Sequence, residues 1–220
     1  MSNLSISDLF KTAWERFRIH WLWGLLLLLI SIVLSLIPYL GSLANLLIQA
    51  VFVCYGLKAW RSVERFSFEE IFPKDFLTYL KVAAGAIIVA FPALLIVTVL
   101  SGFSVIGAFD TGGFYSLTTN LYLSLGLGML AGVAMTFLFF AYPYLIVDKD
   151  LGVITALQQA LTLSLNQGGT VLGFLLLALF INFLGGLVCG IGLLITTPVT
   201  LIAGAGLYVG LTDNSASQAS

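Results

Sequence analysis

Apolar residues fill six stretches of the chain, at roughly 21–37, 41–59, 82–100, 121–147, 171–188 and 191–211. At a rise of about 1.5 Å per residue, most of these runs come near the ~30 Å needed to cross the hydrocarbon core of a bilayer. The pattern predicts an all-α fold, a polytopic six-helix transmembrane bundle formed as one integral membrane domain over residues 1–220. Pro38-Tyr39-Leu40-Gly41 separates the first two runs and Gly190-Ile191-Gly192 the last two, which leaves room only for tight antiparallel hairpins.

Three further segments alternate polar and apolar positions with helical periodicity, and these predict interfacial amphipathic helices. In the first, Ile6, Leu9, Phe10, Ala13, Trp14, Phe17 and Trp21 share one arc, while Asp8, Lys11, Thr12, Glu15 and Arg18 share the other. Ser5 and Asp8 have the spacing of a capping box, and the tryptophans and basic residues suit a helix lying in the plane of the interface. In the second, residues 65–80, Ser67 and Glu70 form another capping-box pair and Pro73 breaks the segment. The third, after Asp150, has Thr155, Gln158, Gln159, Thr162 and Asn166 on its polar arc and no charge.

Composition sharpens this picture. Hydrophobic residues make up 60% of the chain and charged ones 9%, against roughly 25% in soluble domains, with a mean hydropathy of +1.10. The formal net charge of −1 gives no basic surface, so no nucleic-acid partner is expected; the lipid bilayer is. With the N-terminus in the cytoplasm, all nine basic residues fall on one side, and residues 101–120 on the other side carry none. The positive-inside rule then predicts a protein of the bacterial inner membrane with both termini cytoplasmic. Within 82–220 only five residues are charged, and Asp148, Lys149 and Asp150 are three of them. They read as an interfacial cluster in which Lys149 holds the second half of the chain to the cytoplasmic side and Asp148 caps the helix that follows. The run from Trp21 to Ser42-Leu43-Ala44 has the outline of a signal peptide. Its long patterned leader and the second apolar run directly behind it make cleavage unexpected.

Residues 5–59 and 152–211 share one order of elements: surface helix, span, glycine turn, span. A shift of 151 carries Gly41 onto Gly192, Asn45 onto Thr196 and Gln49 onto Thr200, which suggests a parallel internal repeat about an axis along the membrane normal. On "SISDLFKTAWERFRIHWLW", "LIVDKDLGVITALQQALTLSLNQGG" and "GIGLLITTPVTLIAGAGLY", the chain resembles a family of uncharacterised six-helix bacterial inner-membrane proteins. These are related to the membrane domain fused to some glycerophosphodiester phosphodiesterases. The resemblance implies six helices, and it carries no catalytic residue over to this chain. The chain departs from the pattern in carrying Gln158, Gln159 and Asn166 where the family usually has basic residues.

Candidate chemistry is sparse. No span interior contains Asp, Glu, Lys or Arg, which argues against proton relays and ion-coupled pumps. No nucleophile–base or carboxylate pair stands at a plausible spacing, so no enzyme activity is expected. Cys54 and Cys189 lie in apolar runs without metal-ligand spacing, and no metal or cofactor is implied. His20 sits where an interfacial belt residue is common. The membrane polarity that remains is uncharged: Asn45, Gln49, Asn182, Thr196, Thr197 and Thr200, a polar seam expected to face the bundle interior. Small-xxx-small pairs at Gly128/Gly132, Gly169/Gly173, Gly186/Gly190 and Gly206/Gly210 allow close helix approach. Pro92, Pro143 and Pro198 are candidate kinks. Two functional classes fit. One is a non-catalytic scaffold or accessory factor for lipid, a membrane-protein partner or a second copy. The other is a permease or pore for a small neutral or lipid-like solute, which calls for a mid-membrane cavity lined by the seam.

Overall fold

The structure is a computed structural model that describes residues 5–37, 40–111, 114–187 and 190–218. Among these residues it contains eight α-helices and no strand: α1 Ile6–Ser35, α2 Leu40–Arg61, α3 Phe76–Thr111, α4 Phe114–Phe139, α5 Tyr142–Lys149, α6 Val153–Asn166, α7 Gly168–Leu187 and α8 Leu193–Gln218. Six segments are long and apolar enough to cross a membrane, with α4 and α5 together making one of them. The protein is a multi-pass helical membrane protein.

Three expectations need correction. The first amphipathic segment is not a separate surface helix. α1 runs unbroken for 30 residues, because Leu9, Ala13 and Phe17 continue the face that Leu27 presents to the bundle core. Phe10 stacks on Phe174 of α7 at 5.6 Å, so the apolar arc is spent on protein as well as lipid. The Ser5–Asp8 box is also absent: the Ser5 side chain caps nothing and its hydroxyl lies 2.7 Å from that of Ser7. The segments apolar enough to span agree with the third and fourth runs, at Phe76–Val99 and Tyr122–Lys149, although α3 itself continues to Thr111 and α4 begins at Phe114. Finally, the fourth span is broken. A turn at Phe140 and Ala141 separates α4 from α5, and Pro143 supplies no N–H to carry the helix through. Pro92 and Pro198 lie inside continuous helices.

The second capping box forms as expected. The Glu70 carboxylate accepts from the Ser67 amide at 3.1 Å and the Ser67 hydroxyl at 3.0 Å, and Lys58 donates to it at 2.9 Å. Beside it His20 is buried rather than at an interfacial belt, stacked on Phe66 at 4.4 Å with Nε2 3.3 Å from the Ser62 carbonyl oxygen. Cys54 is buried, and Pro38, Tyr39 and Cys189 lie outside the described residues.

The core sits where α1, α2 and α8 pack together. Each hairpin turns on a glycine whose backbone presses the helix before it: a Cβ on Gly41 would strike the Leu34 carbonyl, and one on Gly192 the Gly185 carbonyl. Of the small-xxx-small glycines, Gly128 meets Val97, Gly173 meets Ile6 and Gly206 meets Trp60 closely, whereas Gly132, Gly169 and Gly186 face open space. α1 packs along α8, but α7 and α2, the pair an offset of 151 would match to them, barely meet. α3 and α4 pack mainly on each other, and α4 touches α7 only lightly.

Candidate functional site: a cavity within the membrane span

The space that α7 leaves beside α2 is a cavity of about 820 Å³, within the roughly 300–1,000 Å³ typical of small-molecule sites. Its inner wall comes from α1, α2, α5 and α8, with Phe174 of α7, Tyr144 and Gly204 well buried at the back. The opening is marked by exposed side chains on two helices: Met129, Val133 and Thr136 of α4, and Leu172, Leu176 and Leu179 of α7. Met129 is 68% and Leu176 57% exposed, and both stand on spans, so the cavity opens sideways, toward hydrocarbon. Its walls are dominated by Leu, Phe and Val, and no charged residue lines it. The α4–α5 break lies in this wall, with Phe140, Pro143 and Tyr144 all contributing. Broken helices inside membranes occur where irregular backbone lines a cavity or is buried in protein.

The six seam residues divide into three groups. Asn45 belongs to the α1–α2 hairpin alone: its Oδ1 accepts from Ser31 at 2.6 Å and its Nδ2 donates to Ser35 at 2.9 Å. It neither lines the cavity nor approaches Asn182. Asn182 and Thr200 join α7 to α8: the Asn182 amide donates to the Ala178 carbonyl at 2.9 Å and to Thr200 Oγ1 at 3.3 Å, and Thr200 donates to the Thr197 carbonyl. Thr196 packs against Gly185, its hydroxyl buried and without a partner among the described residues. Gln49, Asn182, Thr197 and Thr200 all line the cavity, and Gln49 is exposed within it.

The charged cluster is a separate structure at the basic end. Both Asp148 oxygens accept from Arg61, at 2.6 and 2.9 Å, and one accepts from the Tyr208 hydroxyl at 3.1 Å. Asp148 therefore does not cap α6, whose N-cap is Gly152 without a side-chain bond. Asp150 ends α5 in the left-handed region at φ 48°, where Asp is tolerated better than most residues, and accepts from Lys81 at 2.7 Å. Lys149 pairs with no carboxylate among the described residues. A second cavity of about 570 Å³ adjoins this cluster, lined by Lys58, Arg61, Glu69, Glu70, Lys74 and Asp148 among others. No group of ligands able to hold a metal occurs among the described residues.

Comparison with protein-family models, curated proteins and solved structures finds no match for this chain. Sequence reasoning missed Tyr144, Gly204 and the α4 and α7 rim, which look like ordinary packing residues. The available signal was Pro143 beside a tyrosine on each side, in a span that also carries Gly126, Gly128 and Gly132.

Proposed function

We propose that the protein is a non-catalytic component of the bacterial inner membrane, with both termini cytoplasmic, that takes a lipid-like molecule from the bilayer into the cavity between α4 and α7. The observation that carries this reading is the sideways opening: an apolar chamber whose exposed rim lies on two spans is filled from hydrocarbon, not from water. It favours the lipid-like solute over the scaffold, which needs no chamber of this kind. We also read α1–α2 and α7–α8 as copies of one hairpin. The offset of 151 that relates Gly41 to Gly192 also relates Leu34 to Gly185, so the same close approach of turn glycine to preceding helix recurs in both hairpins. α6 lies along the membrane surface in this reading: Ala156, Leu157 and Ala160 are buried against the bundle while Ile154 and Leu165 are exposed on one flank.

The test is photolabelling with a diazirine-bearing alkyl chain in lipid nanodiscs. Labels are expected on Met129, Thr136, Leu176 and Phe52. A Cβ on Gly132 meets nothing within 4 Å, so Gly132→Phe is expected to fill the chamber and abolish internal labelling while preserving the fold. Labelling confined to outward-facing residues such as Leu29 and Ile87 would overturn the proposal.

A further inference from the structure

Resting on the cavity reading, we infer that the cavity selects an uncharged lipid bearing a hydroxyl group, recognised by the Gln49 amide and assisted by the Thr197 hydroxyl. Most polar side chains in the chamber have spent their hydrogen-bonding capacity on the protein. Ser31 donates to Asn45, Thr136 to the Gly132 carbonyl, Thr200 to the Thr197 carbonyl and Tyr144 to the Leu201 carbonyl. The Asn182 amide nitrogen is bonded twice, and its Oδ1, buried and without a partner among the described residues, can only accept.

Gln49 differs from all of these. It stands midway along α2, is exposed into the chamber, and makes no hydrogen bond with any described residue. Thr197, on the adjoining α8, lines the same chamber with its hydroxyl likewise unbonded. An amide held against hydrocarbon without a partner is costly, and a membrane offers no water to satisfy it. The occupant is the available partner. A carboxamide presents both a donor and an acceptor, and a hydroxyl answers both at once; an ether or ester oxygen answers only the donor. Charge is disfavoured because no cation or anion lines the wall, and an unpaired charge at this depth is strongly penalised. A long-chain alcohol or an acylglycerol with a free hydroxyl meets these conditions. A fatty-acid anion or a phospholipid headgroup does not.

The experiment measures displacement of the photoreactive alkane by a long-chain alcohol, by the methyl ether of the same chain and by the ionised fatty acid, each as a mole fraction in phosphatidylcholine nanodiscs. The alcohol is expected to halve labelling at about one-tenth the level of either competitor, the discrimination a single buried hydrogen bond supplies. Gln49→Leu is expected to bring the alcohol-to-ether ratio to about one while alkane labelling persists, and to melt no lower than the parent because no protein bond is lost. Thr197→Val, which removes only a hydroxyl, is expected to narrow the ratio. Equal displacement by alcohol and ether, superior displacement by the fatty acid, or a preference surviving both substitutions would overturn the inference and leave the cavity reading standing. Absence of internal labelling by the alkane itself would bring down both.

Discussion

At the scale of single residues, the charges near the basic end act as ties between distant segments. Asp148 meets Arg61 and Tyr208, 87 and 60 positions away, so one carboxylate joins α5 to α2 and α8. Arg61 is half exposed, which discounts the ion pair, and the net contribution is about 1–2 kcal/mol. Asp148→Ala and Arg61→Ala are each expected to lower stability by that amount in detergent, with the double variant losing less than the sum; full additivity would separate the two residues. Glu70 gives a pH prediction. Its bonds with Lys58 first, then with Ser67, hold its carboxyl down to about 2. A depressed folded pKa contributes stability above the unfolded value and loses it as pH falls through the folded one. Protection factors across residues 67–72, taken relative to the intrinsic exchange rate at each pH, should therefore fall between about pH 4.5 and 2 in the parent, and not in Glu70→Gln. The Ser67–Glu70 pair was legible because its geometry is local. Asp148's role was not, because neither spacing nor periodicity encodes partners so far along the chain.

At the scale of elements, hydropathy gave the number of spans and misjudged their continuity. A 3.6-residue pattern says which face is apolar but not whether lipid or protein covers it, so α1 read as a surface helix followed by a span. Pro143 marked a weak point, yet a proline alone does not distinguish a kink from a full break, as the intact helices through Pro92 and Pro198 show. The turn glycines carry a firmer signal. Gly41→Ala and Gly192→Ala place a methyl against a backbone carbonyl that cannot swing aside, and each is expected to destabilise its hairpin by about 1–3 kcal/mol. Gly186→Ala, with open space around its Cβ, should be near neutral, and equal melting of all three variants would contradict the close approach. Asn45 also acts at this scale: Asn45→Leu is expected to cost about 0.6–2 kcal/mol by releasing Ser31 and Ser35.

At the scale of the whole molecule, charge asymmetry predicts orientation and packing asymmetry makes the cavity. In a background lacking Cys54 and Cys189, a cysteine at position 116 is expected to react with an impermeant thiol reagent added from outside, and cysteines at 67 or 217 are not; the reverse labelling would invert the orientation. Four of the six seam residues line the chamber, but the chamber itself was not legible: it exists because α7 stands off from α2, a relation between helices and not a property of either. Its doorway between α4 and α7 has a further consequence for any measurement of affinity. A molecule entering from hydrocarbon is presented at its concentration in the bilayer, so partitioning performs the first round of selection before the protein makes any contact. Occupancy then follows mole fraction in the membrane, and adding empty vesicles at constant total ligand will dilute the ligand away from the protein although the aqueous volume is unchanged.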